Sequence, residues 1–200
     1  MREGEKGVGL PTHMKEKVII VSAPSGAGKT TIVKYLLTAL PQLAFSISAC
    51  SRSKREGEIN GKDYYFMSVD EFRRRIENDE FVEWQEVYPG SYYGTLKNEI
   101  ERIWEEAKVP IFEVDILGGI NLKNYFKKHA LSIFIRPPAF EDLEKRLRTR
   151  NTESDVEISR RVTKAEYELT FADQFDRVIV NDDLAGACQR VHDEVKNFIQ

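Results

Sequence analysis

Apolar residues along this chain of 200 residues recur in two different rhythms. Continuous apolar runs, typical of strands that are covered on both faces of a sheet, occupy residues 17–21, 110–116, 130–136 and 177–181. Apolar residues spaced three or four apart predict helices over residues 31–40, 96–108, 122–128, 139–150, 155–175 and 184–200. Strands that alternate with helices predict an α/β fold, in which a parallel sheet core is covered by helices.

Residues 46–95 interrupt this rhythm with strands that are shorter and more polar. Extended segments are predicted at 44–50, 64–69 and 81–95, the last of them folded back at a turn on Pro89 and Gly90. Ser68 and Glu71 have the spacing of a capping box, which predicts that a helix over 71–80 starts here.

The break in rhythm predicts one folded domain with an insertion. A small mixed-strand lobe at 46–95 is expected to be inserted into a core formed by residues 14–45 and 96–200. Residues 1–13 contain three glycines, one proline and few apolar side chains, and we expect them to form a flexible extension.

The segment between the first strand and the first helix carries the clearest chemistry. Residues 23–30 read A-x-x-x-x-G-K-T, close to the G-x-x-x-x-G-K-[ST] pattern of a phosphate-binding loop. Gly26 and Gly28 allow successive backbone N–H groups to approach phosphate oxygens. Lys29 would place a positive charge on the β- and γ-phosphates of a nucleotide, and Thr30 would offer its hydroxyl to Mg²⁺. The N-terminus of the following helix favours the same anion.

Composition and charge exclude several other classes of protein. The formal net charge is −3, so a general affinity for nucleic acid or for an anionic membrane is not expected. No apolar stretch approaches the length of a membrane span, and no signal-peptide pattern opens the chain. The chain has two cysteines, Cys50 and Cys188, which favours a reducing compartment. We therefore expect a cytoplasmic protein.

Several separated motifs, in a fixed order between Lys17 and Gln200, give the chain a resemblance to a known family. They read SGAGKT, SISACSRSKREGEINGKDYYF, EFVEW, YYGT, EVDI, RPP, RNTES and IVNDDL. In this order they resemble the guanylate kinases, P-loop enzymes that move a phosphoryl group from ATP to GMP. The resemblance implies a P-loop core, a GMP-binding lobe at 46–95 and a helical lid over about 138–170.

The resemblance assigns the phosphate of GMP to two arginines and two tyrosines, namely Arg52, Arg55, Tyr64 and Tyr93. Planar guanidinium forks suit a dianionic phosphate, and phenol hydroxyls add neutral donors. Taken alone, the arginines could equally lie in a solvated basic loop, and the tyrosines could simply pack in strands.

The same resemblance places guanine against Glu83, whose carboxylate could accept hydrogen bonds from N1–H and from the 2-amino group. Without the resemblance, Glu83 would be an exposed strand residue paired with a lysine. Ser48 and Thr95 are implied as hydroxyl contacts around the base. Asp115 follows an apolar strand, where ligands of α/β sheets bind, and either contacts the base or holds water around Mg²⁺.

The implied ATP site consists of the phosphate loop and one distant asparagine, with Ser25, Gly26, Ala27, Gly28, Lys29, Thr30, Thr31 and Asn181 as its residues. Asn181 is expected near adenine. Arg150 and Arg161 are expected to reach the transferred phosphoryl group from the lid, with Arg146 as a further candidate. The resemblance therefore implies Lys29, Arg150 and Arg161 as catalytic residues, and no strong base is needed because the acceptor phosphate is already nucleophilic.

Two alternatives remain beside a guanylate kinase. The chain could be a kinase for another nucleoside monophosphate, although adenine has no N1–H to offer Glu83. It could also be a guanylate-kinase-like module that binds a protein, although such modules can dispense with the phosphate loop. The expected partners are ATP, GMP and, by resemblance, dGMP, and the sequence leaves open a monomer or a homo-oligomer. Cys50 and Leu117 depart from the family pattern within the expected base site.

Overall fold

The computed structural model describes residues 16–139 and 155–200. The expected extension at 1–13, Arg146 and Arg150 therefore lie outside the described residues. In chain order the helices and strands are β1 (Val18–Ser22), α1 (Lys29–Ala39), β2 (Leu43–Phe45), β3 (Ala49–Cys50), β4 (Tyr65–Phe66), α2 (Val69–Glu77), β5 (Phe81–Tyr88), β6 (Ser91–Leu96), α3 (Lys97–Glu105), β7 (Val109–Val114), α4 (Ile116–Phe126), β8 (Ala130–Arg136), α5 (Asp155–Leu169), β9 (Arg177–Val180) and α6 (Leu184–Ile199).

The core is a five-stranded sheet in the order β2-β7-β1-β8-β9, and all of its neighbouring strands are parallel. Successive side chains of β1 point to opposite faces. Ile19 and Val21 pack on one face with side chains of α1 and α6. Val18 and Ile20 pack on the other face with side chains of α3 and α4. The predicted parallel sheet, covered by helices on both faces, is confirmed.

A second sheet of four strands is built from the middle of the chain, in the order β4-β3-β6-β5. β3 and β4 are parallel, whereas β6 runs antiparallel to both β3 and β5. Phe72 of α2 stacks on Phe81 and Tyr92 of this sheet, with ring centroids 4.4 and 5.4 Å apart. The predicted helix start is confirmed, since Ser68 Oγ accepts a hydrogen bond of 3.1 Å from the backbone N–H of Glu71.

Several predicted boundaries need correction. The helix predicted over 122–128 begins at Ile116 and ends at Phe126, and the helix predicted over 155–175 ends at Leu169. The segment 44–50 was predicted as one strand, but it contributes β2 to the core sheet and β3 to the second sheet, because the chain crosses between the sheets at 46–48. The strand predicted at 110–116 ends at Val114, since Asp115 caps α4 by accepting a hydrogen bond of 2.9 Å from the Gly118 N–H. The first helix begins at Lys29 rather than at Thr31.

No helix within residues 16–139 and 155–200 combines the length and the apolar character that a membrane crossing requires. Cys50 and Cys188 are both buried free thiols.

Candidate active site

A cleft of about 650 Å³ lies between the carboxyl edge of the core sheet and the second sheet. Ligands of parallel α/β sheets bind at this edge, and the volume is within the range of small-molecule sites. From the core sheet side the cleft is lined by Lys29, Thr30, Glu113, Asp115 and Gly118. From the lobe it is lined by Ser48, Glu58, Tyr64, Glu83 and Tyr93. The fold thus brings predicted residues of both groups together in one space, although Arg52, Arg55 and Thr95 are not among the residues that line it.

The phosphate loop joins β1 to α1 through a conformation that glycine favours. Gly26 and Gly28 have φ angles of 90° and 97°, in the left-handed region that other residues rarely adopt. The Ala27 N–H donates a hydrogen bond of 3.2 Å to the Pro24 carbonyl, which closes the turn. Gly28 then caps the N-terminus of α1, where unpaired N–H groups and the helix dipole favour an anion.

The ammonium group of Lys29 is anchored at the end of β7, where its Nζ donates a hydrogen bond of 2.7 Å to the Val114 carbonyl. Withdrawal from bulk water lowers the pKa of Lys29, and the charges of Glu113, Asp115 and Glu168 oppose this effect. The lysine therefore faces carboxylates from both β7 and α5.

Oxygen atoms that suit a hard cation such as Mg²⁺ lie beside this lysine. The Thr30 hydroxyl donates a hydrogen bond to Glu113 Oε1, and Asp115 lies two residues further on. Within the described ranges no group of three or more His, Cys, Asp or Glu side chains could hold a metal ion. Mg²⁺ that arrives with a nucleotide takes most of its ligands from phosphate and water, so one hydroxyl and a nearby carboxylate fit this ion.

Asn181 packs against the phosphate loop from the end of β9. Its side chain is buried and Nδ2 donates a hydrogen bond of 2.7 Å to the Ala27 carbonyl. A Cβ atom added at Gly28 would lie only 2.4 Å from this Nδ2 atom, so glycine is required for space as well as for φ. The placement of Asn181 near adenine stays a prediction.

One predicted lid residue reaches the phosphate loop. Nη2 of Arg161, in α5, donates a hydrogen bond to Ser25 Oγ. Glu168, one residue before the end of the same helix, is buried, and burial raises its pKa. No sequence pattern singles out Glu168, because its spacing of four residues from Lys164 is that of an ordinary helical ion pair.

The predicted phosphate-binding residues of the lobe cluster around one arginine. The guanidinium carbon of Arg52 lies 4.9 Å from the Tyr64 ring centroid, and the rings of Tyr64 and Tyr93 are 6.1 Å apart. Nη1 and Nη2 of Arg52 bind both carboxylate oxygens of Glu58, at 2.7 and 2.5 Å. The side chain of Arg55 is exposed, whereas its backbone N–H donates to Glu58 at 2.7 Å.

Glu58 was missed by the sequence analysis, although it stands three residues after Arg55 in the same polar arm. The hydrogen bonds from Arg52 lower the pKa of Glu58 to about 2, and they also raise the pKa of Arg52. The carboxylate therefore stays ionised and holds the guanidinium fork in place.

Three of the four predicted base-binding residues, Glu83, Thr95 and Asp115, lie close together. Glu83 is 8% exposed and accepts a hydrogen bond of 2.8 Å from the Thr95 hydroxyl. Burial raises the pKa of Glu83 to about 7, and the charge of Asp115 adds to this, whereas the Thr95 hydrogen bond opposes it. Glu83 Oε2 would lie 3.6 Å from a Cβ atom added at Gly118, so a small residue leaves room beside the carboxylate.

The guanylate kinase family model matches residues 15–198, which is nearly the whole sequence. The chain belongs to the guanylate kinase family. A guanylate kinase of Bacteroides thetaiotaomicron is 52% identical over 187 residues, covering 94% of this chain and 92% of that protein. A guanylate kinase of Porphyromonas gingivalis is 51% identical, covering 92% of this chain and 98% of that protein.

The fold agrees with the family. The crystal structure of guanylate kinase from Anaplasma phagocytophilum superposes with a TM-score of 0.71 at 28% identity, covering 90% of this chain and 85% of that chain. The chain is therefore a nucleotide kinase, as its motifs predict, and the resemblance to the guanylate kinases is confirmed.

Proposed function

We propose that this kinase transfers the γ-phosphoryl group of ATP to GMP within the cleft between the two sheets, with ATP at the phosphate loop and GMP against the lobe. The observation that carries the proposal is that one cleft joins Lys29 and Thr30 to Glu83, Tyr64 and Tyr93. The first pair suits a nucleotide triphosphate, and the other three suit a guanine base and a monophosphate.

On the donor side, the loop at Gly26–Thr30 binds the phosphates of ATP through backbone N–H groups. Lys29 adds its positive charge to the β- and γ-phosphates, where negative charge develops during transfer. Thr30 would hold Mg²⁺, which neutralises phosphate charge when it is bound with ATP. Asn181 keeps the loop in its binding conformation through the Ala27 carbonyl.

On the acceptor side, Arg52 and Arg55 bind the phosphate of GMP, with the hydroxyl groups of Tyr64 and Tyr93 as neutral donors. A phosphate oxygen of GMP attacks the γ-phosphorus of ATP, one P–O bond forms, the bond to the β-γ bridging oxygen breaks, and ADP leaves. Arg161 reaches this centre from α5 and balances the charge on the transferred group. The chain supplies orientation and charge, and the nucleophile needs no base.

Guanine is recognised by hydrogen bonds to the Glu83 carboxylate. Its N1–H and 2-amino group are adjacent donors, which one carboxylate can accept together. Thr95 fixes the orientation of that carboxylate. Adenine offers no N1–H, which argues against AMP as the acceptor. Asp115, whose charge acts on Glu83, and Ser48 line the same cleft and complete the pocket.

A protein-binding role is the alternative from another class of function. Such a role requires no phosphate loop, yet the loop of this chain has two left-handed glycines, an anchored lysine and an arginine of α5 bonded to Ser25. These residues suit the binding of ATP phosphates rather than the binding of a peptide, so we favour the kinase function.

The test is an ADP-release assay with ATP, Mg²⁺ and one of GMP, dGMP, AMP, UMP or CMP as acceptor. We expect turnover with GMP and weaker turnover with dGMP, and background rates with the other three acceptors. Equal turnover with AMP would contradict the proposed role of Glu83, and no turnover with any acceptor would favour the binding module.

A further inference from the structure

Glu99, in the first turn of α3, carries a buried carboxylate whose side chain is 1% exposed. A buried charge is tolerated when hydrogen bonds replace the lost water. Here the carboxylate accepts four hydrogen bonds, from the Ile47 N–H at 3.0 Å, the Tyr65 hydroxyl at 2.8 Å, and Nε and Nη2 of Arg102 at 3.0 and 2.8 Å. Each of its oxygens is therefore held by two donors.

The donors belong to three different parts of the fold. Arg102 is in the same helix, α3, which packs on the core sheet. Ile47 lies in the short crossing at 46–48, where the chain leaves β2 of the core and enters β3 of the lobe. Tyr65 is in β4, at the edge of the lobe sheet. Glu99 thus ties the lobe to the core helix at the crossing itself.

The residues that neighbour these donors line the cleft. Ser48 follows Ile47 and Tyr64 precedes Tyr65, and both Ser48 and Tyr64 face the proposed GMP site. Tyr64 directly precedes β4, and adjacent side chains of extended backbone point to opposite sides, whereas Ile47 reaches Glu99 through its backbone N–H. Glu99 lines a separate cavity behind the lobe, together with Tyr65 and Arg102. Glu99 therefore binds these segments on the side away from the cleft, whereas Ser48 and Tyr64 face the cleft where GMP is proposed to bind.

We propose that Glu99 is a positioning residue for the acceptor nucleotide, which fixes Ser48 and Tyr64 through the Ile47 N–H and the Tyr65 hydroxyl. The inference rests on the proposed function, because it concerns the GMP side of the same cleft. Glu99 itself does not touch the substrate in this arrangement. Glu99 restricts the conformational freedom of the lobe before GMP binds, and this lowers the entropic cost of orienting the acceptor.

The test uses two variants of graded severity. Glu99→Gln keeps the side-chain shape but leaves one acceptor oxygen, and turns an NH₂ group toward donors. Tyr65→Phe removes a single hydroxyl. We expect the KM for GMP to rise about 5- to 30-fold in Glu99→Gln and about 2- to 5-fold in Tyr65→Phe, because displaced contact groups weaken acceptor binding. The KM for ATP should stay within about twofold of the wild-type value in both variants.

Asp176→Asn serves as the matched control. The Asp176 carboxylate is also multiply bonded, accepting from the Ser132 N–H at 2.9 Å and the Ser132 hydroxyl at 2.7 Å and pairing with Lys123 at 2.8 Å, but all of these partners lie in the core. This variant should lower the melting temperature and leave the KM for GMP unchanged. Melting curves of all variants are recorded so that kinetics are compared on folded protein.

Three results would overturn the inference. The first is an unchanged KM for GMP in folded Glu99→Gln, and the second is a rise in the KM for ATP of Glu99→Gln that equals the rise in its KM for GMP. The third is a KM for GMP that rises as much in Asp176→Asn as in Glu99→Gln. If Glu99→Gln does not fold, Tyr65→Phe provides the test. An unchanged KM for GMP in Tyr65→Phe would then refute the positioning role. Failure of the proposed function is a separate outcome, since the wild-type protein would then show no turnover of GMP at all.

Discussion

Replacing Glu83 with Gln should stabilise the protein above neutral pH while it removes most of the activity toward GMP. Burial raises the pKa of Glu83 to about 7 in the folded protein, whereas the ordinary pKa of a glutamate side chain is 4.5. The folded state therefore binds this proton more tightly than the unfolded chain between about pH 4.5 and pH 7. Stability from this group is fully present below about pH 4.5, falls as the pH rises through that window, and levels off above about pH 7.

The size of the effect follows from the same two values. A gap of about 2.5 between the folded and unfolded pKa corresponds to about 3 kcal/mol of unfolding free energy. Glutamine avoids this loss but buries an amide with incomplete hydrogen bonding, which costs about 1–2 kcal/mol. We therefore expect Glu83→Gln to be about 1–2 kcal/mol more stable than wild type at pH 8 and less stable than wild type at pH 5.

The assay is urea unfolding of both proteins without ligand at pH 5, 6, 7 and 8. The difference in unfolding free energy between variant and wild type should change sign across this range. A difference that is constant from pH 5 to pH 8 would refute the argument, because Glu83 would then not titrate there.

The same variant also tests substrate recognition. Glutamine offers guanine one acceptor and turns an amide donor toward a guanine donor, which should cost about 2–4 kcal/mol, or roughly 30- to 1000-fold in kcat/KM for GMP. IMP lacks the 2-amino group, so it should be a poor substrate of the wild type and lose less on mutation. Equal losses for GMP and IMP would show that Glu83 has a structural role only.

Four further substitutions test the donor side. Lys29→Ala should fold with a melting temperature within a few degrees of wild type but lose most of its kcat, and a near-normal kcat would refute the phosphate-loop assignment. Arg161→Ala, and Arg150→Ala outside the described residues, should lower kcat more than they raise the KM for GMP, and a change in that KM alone would contradict a role in phosphoryl transfer. Asn181→Ala should raise the KM for ATP about tenfold by freeing the Ala27 carbonyl, with the KM for GMP as the internal control.

The phosphate loop is predictable from residues that are contiguous in the sequence, whereas the long-range contacts of the site are not predictable. Gly26 to Thr30 are contiguous, so their spacing alone indicates a loop that binds phosphate. The resemblance supplied Glu83 and Asp115, but nothing in their surroundings shows that the fold places both beside Gly118 and shifts the pKa of Glu83. That shift depends on burial, which is a property of the folded chain.

The boundary errors have the same origin. Residues 44–50 alternate like one strand, yet the chain changes sheets inside this segment, and no local propensity signals that crossing. The Glu99 carboxylate, which binds the backbone of Ile47 in the crossing, stands 52 residues away in the sequence. Glu99 itself reads as an ordinary acidic residue in the first turn of a helix, so its buried role becomes visible only in the structure.

Two of the cations proposed to bind phosphate already have partners inside the protein. Arg52 is held by Glu58, and Lys29 faces the charges of Glu113, Asp115 and Glu168. Binding of a substrate phosphate must therefore compete with internal carboxylates, and its net contribution is a difference between two similar interactions. The internal partners keep the cations oriented, so less side-chain freedom is lost when the substrate arrives. They also weaken the attraction for stray anions, so specificity depends on groups that match the whole nucleotide, which we propose are Glu83 for the base and Arg52 for the phosphate.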